Sequence, residues 1–243
     1  MKILLQREQL ERLYRDILNE AKGKSFTFHN HDYLVGGVNP KMMFVMQNPG
    51  VSEKEKNLDK NNIAEFTKHH DGKFTEWVMN DHKEAIEKIF NIFAKYSLIR
   101  YGGRLEGYLS NNFFKDFYLT DIVKCRLTTK ENKKAIAEQY LPFFKREVSI
   151  ANPRIVVLFS ARSWNVLRED EDFMIPQEKK DLPITQVHGD VIESGYKESR
   201  FLLIPVIHFT NQGFKNCPKT SYIDYLERSF KDKKDLLEKY IAK

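Results

Sequence analysis

The chain has 243 residues, of which 41 % are apolar, with a net charge of +6 and a pI of about 9.1. That suits one large α/β domain or two small ones. No apolar run approaches the ~20 residues of a membrane span, and Met1–Leu5 is too short a stretch for a signal peptide. Only Cys125 and Cys217 are cysteines, so a disulfide framework is not expected and a reducing cytoplasm fits. The basic charge suits a polyanion partner without establishing one.

In chain order, residues 7–22 read as an amphipathic helix with Leu10, Leu13, Tyr14, Ile17 and Leu18 on one face. Residues 42–47 read as the first strand, which ends at Gln47-Asn48 and turns on Pro49-Gly50. Pro49 fixes φ, and Gly50 lets the backbone approach a ligand. Residues 51–82 are polar and longer than an ordinary connection. Residues 83–97 are a helix with Ile86, Ile89, Phe90 and Phe93 at helical spacing, and Gly102-Gly103 breaks the chain.

Phe117–Val123 reads as the second strand, and residues 131–150 as a helix kinked by Pro142. Arg154–Phe159 is a short apolar strand, followed by a helix through Trp164 and Leu167. Phe201–Ile207 is the last strand and residues 220–240 the last helix. Strands alternate with helices, which predicts a three-layer α/β/α fold on a central, mostly parallel four-stranded sheet. One domain is expected over residues 1–243, with an N-terminal helical extension over 1–41 and a core over 42–230.

Three of the four strands stop at distinctive polar residues: Gln47-Asn48, Thr120-Asp121 and His208. A parallel sheet brings such ends to one edge, where open α/β proteins place their chemistry. Taken singly, Asp121 could cap a turn and His208 could be a structural histidine. Together they favour a site. His29, His31, His69 and His70 have no third ligand at a suitable spacing and read as surface histidines.

On these residues the chain resembles the uracil-DNA glycosylase superfamily, from about residue 42 to residue 230. Gln47-Asn48-Pro49-Gly50 looks like the first motif of the mismatch-specific and single-strand-selective branches. Ile204–His208 looks like the approach to the second motif, although the following Phe209-Thr210-Asn211 departs from the usual His-Pro-Ser. Phe117–Arg126, Glu138–Phe159 and His188-Gly189 resemble the body of the iron–sulfur branch. Cys125 matches one cluster ligand, but Tyr140 stands where another belongs. One cysteine cannot hold a cluster, so no metal or cofactor is expected.

The resemblance implies a monofunctional DNA glycosylase that flips a base and hydrolyses its N-glycosidic bond. His208 would donate to the departing base, and Asn48 would hold the water. Gln47, Pro49, Gly50, Phe74 and Asp121 would line the pocket. Phe74 would stack under the base, or would merely anchor a loop. Asn211, Gln212, Gly213, Phe214 and Lys215 would enter the groove, with Lys215 and Lys219 facing phosphates.

Relatives that excise uracil carry Asn where this chain has Asp121. A carboxylate only accepts hydrogen bonds, which opposes uracil O4 and suits the amino group of cytosine. Cytosine or a modified cytosine, as in some phage genomes, is therefore the expected target; a defence role against phage would follow. A protonated Asp121 would still read uracil. The alternatives are a uracil repair enzyme and an inactive DNA- or nucleotide-binding module on the same fold. A monomer acting on duplex or single-stranded DNA is expected.

Overall fold

The computed structural model describes residues 2–20, 41–46, 75–76, 78–111, 117–124, 133–208 and 222–242. Among them the elements run α1 (Lys2–Glu20), β1 (Met42–Met46), a π turn (Val78–His82), α2 (Lys83–Lys95), α3 (Leu105–Asn111), β2 (Phe117–Asp121), α4 (Lys133–Ala151), β3 (Ile155–Phe159) and α5 (Ala161–Glu169). The short α6 (Gln177–Lys180) and α7 (Ile184–Val187) follow, then β4 (Ile192–Tyr196), β5 (Ser199–Val206), α8 (Tyr222–Asp232) and α9 (Lys234–Ile241).

The described strands form a five-stranded sheet in the order β2-β1-β3-β5-β4. β2, β1, β3 and β5 are mutually parallel, and β4 joins β5 antiparallel. The fold is the expected helix-flanked, mostly parallel sheet, with one strand more than the sequence reading. The extra strand is Ile192-Glu193-Ser194-Gly195-Tyr196, whose Ser and Gly weaken any strand signal. It connects to β5 through Lys197-Glu198, and Lys197 takes φ 52° without the Asn or Gly that usually advertises such a turn. The last predicted helix is two helices, broken at Lys233. α4 continues past Pro142.

The strands are short and apolar because both sheet faces are covered. β2 and β3 are buried at every position. On one face Phe44 of β1 packs edge-on against Phe90 and Phe93 of α2, with centroids 6.3 and 6.0 Å apart. Phe117 and Phe159 lie against the same Phe44 ring at 4.3 and 5.0 Å. α8 covers this face too, with Phe230 stacked on Phe93 at 5.7 Å.

The other face is covered by α1 and α4, where Tyr14 and Glu147 meet Tyr118. Side chains alternate across a strand, so Phe117, Leu119 and Asp121 share the α2 face while Tyr118 and Thr120 face α4. Trp164 of α5 is fully buried and donates its indole N–H to the Leu182 carbonyl at 2.9 Å.

Candidate active site

β1 and β2 end level with one another. Met46 is in register with Asp121, and the Ile122 N–H donates to the Met46 carbonyl at 3.1 Å. The end of β1 thus lies beside Asp121. Asp121 is 3 % exposed, on the α2 side of the sheet. β3 ends beside β5, with Phe159 in register with Val206. His208 lies two residues beyond Val206 and is half-buried.

The ends of β2 and β5 act on one another electrostatically. Burial first, and repulsion from His82 second, hold the His208 imidazole down at about 4, against the attraction of Asp121. His208 is thus neutral over the physiological range and can donate an N–H rather than act as a cation. A neutral imidazole aimed at a developing anion is a competent donor.

The backbone just ahead of His208 is fixed by a clamp. The Ile207 N–H donates to Nδ1 of His188 at 3.2 Å, and the Tyr222 hydroxyl donates to the Ile207 carbonyl at 2.7 Å. Because Nδ1 of His188 accepts, its Nε2 carries the proton, and it bonds the Tyr222 carbonyl at 3.2 Å. The His188 ring also packs against the Tyr222 and Tyr225 rings at 4.4 and 5.8 Å. His188 is 1 % exposed, and burial above all holds it at about 4, opposed by the Tyr222 carbonyl and Asp190.

Gly189 completes the clamp. Its N–H reaches the Pro205 carbonyl at 2.7 Å with φ at +78°. A Cβ there would meet Leu226 Cα at 3.2 Å, so a side chain would be both strained and crowded.

Behind Asp121, on the α4 face, a buried polar network holds the end of β2. Glu147 Oε1 accepts from the Tyr118 hydroxyl at 2.9 Å, and its Oε2 accepts from Thr120 Oγ1 at 3.0 Å. Lys124, 4 % exposed, folds back over the strand end to Thr120 and Glu147. The Tyr14 and Tyr118 hydroxyls, 2.7 Å apart, extend the network to α1. Lys124 therefore serves the scaffold: it caps the strand from which Asp121 projects.

Two features of this edge had little signal in the sequence. Ser160, directly after β3, sits at φ 153° and ψ 151°, a region that is essentially glycine territory. Its hydroxyl accepts from the Ser163 N–H at 3.0 Å and caps α5, and the Ser163 hydroxyl reaches the Met46 carbonyl at 3.4 Å. A Ser three residues ahead of another Ser was the only hint. The second feature is His82 at the end of the π turn, whose repulsion is the second cause that lowers the His208 imidazole. Arg162, in the first turn of α5, has a buried Nη1 with no hydrogen-bond partner, and burial pushes its guanidinium below the ordinary value.

Gln47, Asn48, Pro49, Gly50, Phe74, Asn211, Gln212, Gly213, Phe214 and Lys215 lie outside the described residues, as do Cys125 and Cys217. Of the residues expected in the site, Asp121 and His208 are therefore the two that the fold places. Tyr140 is fully buried and packs on Phe143 at 6.0 Å, as a core residue. A shallow cleft of about 590 Å³ near Lys95, Glu227 and Lys231 lies at the opposite end of α2 and holds no part of this constellation. Among the described residues no helix is long and apolar enough to cross a membrane.

Comparison with protein families gives a match over most of the chain. The family model described as Uracil DNA glycosylase superfamily covers residues 34–227, well over half of the chain. No curated protein matches.

Proposed function

The chain belongs to the uracil DNA glycosylase superfamily, whose members act on DNA, and from that premise we propose that it is a monofunctional glycosylase that removes cytosine or a modified cytosine. The observation that supports this reading is the convergence of a neutral His208 and a buried Asp121 on one sheet edge, inside the matched span.

The reaction breaks the bond between C1′ of the sugar and N1 of the base. Both electrons leave with the base, and the sugar passes through an oxocarbenium-like state. His208 donates an N–H to the base O2, where the charge collects; one such donor is worth about 3–4 kcal/mol in related anion holes. Asn48, the second residue after β1, holds the water whose oxygen bonds C1′. An amide cannot take a proton, so the water's proton ends on the departing base anion or in solvent.

Asp121 reads the base. As a carboxylate it accepts from the exocyclic amino group of cytosine and faces O4 of uracil acceptor to acceptor. An unmatched buried polar pair costs ~1–3 kcal/mol, so discrimination of tenfold or more follows. The flipped base stacks on Phe74, and the segment Asn211–Lys215 fills the space it left. Arg162 adds a cation at the same edge, suited to a DNA phosphate. A target restricted to modified cytosine leaves unmodified host DNA intact, which favours a defence role over repair.

The test is release of free base from matched oligonucleotides carrying uracil, cytosine or 5-substituted cytosine. Release of a cytosine-type base supports the reading. Efficient uracil release with none of cytosine would leave an ordinary uracil repair enzyme. No release from any DNA would leave a binding module.

A further inference from the structure

β5 ends at Val206, and Ile207 belongs to no strand although it is 6 % exposed. Its buried N–H and carbonyl need partners outside the sheet ladder. Both find side chains. The N–H donates to Nδ1 of His188 at 3.2 Å, and the carbonyl accepts from the Tyr222 hydroxyl at 2.7 Å. A peptide unit is planar, so each bond holds a whole plane. The first holds the plane from Val206 to Ile207, and the second holds the plane from Ile207 to His208. With both planes held, φ and ψ of Ile207 are set. So is the point at which the His208 side chain leaves the backbone.

The two holders also hold one another. A main-chain N–H only donates and a carbonyl only accepts, so Nδ1 of His188 accepts and its Nε2 donates to the Tyr222 carbonyl at 3.2 Å. That is a neutral ring in a single tautomer. The two rings pack at 4.4 Å. Next to His188, the Gly189 N–H ties the same segment to the Pro205 carbonyl of β5 at 2.7 Å. His188 and Tyr222 are 1 and 4 % exposed, so these bonds lie in a low-dielectric interior that strengthens them.

We propose that Tyr222 and His188 are positioning residues for His208: together they lock the two peptide planes that lead to it, so that its imidazole meets the departing base from one direction. The proposal rests on the glycosylase reading for its effect on rate, though not for the lock itself. No bond forms or breaks at either residue. Their effect passes through geometry, because a displacement of about 1 Å at a reacting centre can cost about 100-fold in rate. A tie that merely fastened α8 to β5 would lower stability when cut and leave the rate of the folded protein unchanged.

The experiment uses Tyr222→Phe, which deletes one hydroxyl and keeps the ring against His188, with His188→Gln as a second variant. The His208 ring signals are followed by NMR, and base release is followed in single turnover. In the folded variants the His208 signals should shift or broaden. Release at saturating DNA should slow about tenfold or more, with the DNA concentration for half-saturation unchanged. In the wild-type chain, a scalar coupling across the hydrogen bond should link the Ile207 amide nitrogen to Nδ1 of His188. Absence of that coupling overturns the proposal even if both variants fail to fold. Unmoved His208 signals in both variants overturn it, as does a full rate of release in a folded variant, or a loss of rate that comes wholly from weaker DNA binding. A wild-type chain that releases no base from any DNA counts against the glycosylase reading instead, and the coupling and the His208 signals then decide the lock.

Discussion

At the scale of single residues, Asp121 and His208 carry the argument, and each makes a separate expectation. Asp121→Asn exchanges a group that only accepts for one that donates and accepts. The ratio of uracil to cytosine release should rise at least tenfold, measured on paired oligonucleotides under single-turnover conditions. A ratio that does not move would remove Asp121 from base reading.

His188 makes a stability expectation. Its folded value of about 4 lies below its ordinary 6.5, so the unfolded chain binds the proton more tightly. Its neutral form is accommodated without cost above pH ~6.5, and stability falls as the pH drops from there through 4. The loss comes to about 3 kcal/mol for this group. Urea unfolding at pH 4–7 should show that slope added to the one His208 contributes, and His188→Gln should remove the His188 share, about half of the two.

The strand-end positions of both candidate residues were legible because each ends an apolar run, and an apolar run in an alternating α/β pattern has few other readings. His82 was not legible. It closes a polar stretch, and only the fold brings it near enough to act on His208. Ser160 was hidden for a different reason: backbone strain leaves no trace in residue type when the residue is not glycine.

At the scale of elements, the end of β2 is held from behind by charges buried on the α4 side. Lys124 and Glu147, with side chains 5 % and 1 % exposed, form an ion pair that also binds Thr120. Removing one partner leaves the other charge uncompensated. Lys124→Met should therefore cost about 3–5 kcal/mol, read by urea denaturation, while Lys124→Met combined with Glu147→Leu should recover a good part of it. If the single variant proves nearly neutral, the network does not anchor the strand.

The network gives Lys124, which follows the end of β2, a supporting role. A lysine after a strand looks exposed until α4 supplies Glu147 from 23 residues away. The antiparallel β4 was missed for a local reason. Its Ser194 and Gly195 weaken any strand signal, and only their pairing with Phe201 and Arg200 of β5 makes them a strand. Gly195 has a function in that pairing, since a Cβ there would lie 2.6 Å from the Ser199 carbonyl oxygen.

At the scale of the whole molecule, the parallel topology does the assembling. Four strands that all run the same way bring residues far apart in the chain, from Met46 to His208, to a single edge. The order was readable from the alternation of elements, but the level of each strand end was not, because register is set by pairing across the sheet. The net charge of +6 belongs to this scale as well. DNA affinity should fall steeply with salt, and Lys215→Ala should reduce the slope of log affinity against log salt by about one.

The most direct measurement is mass spectrometry of the free base released from otherwise identical duplex and single-stranded oligonucleotides carrying uracil, cytosine or a 5-substituted cytosine. Release of cytosine or its modified form is expected, with an abasic site left behind, and His208→Ala should abolish release while DNA is still bound. Release of uracil alone, or undiminished release by His208→Ala, would contradict the account.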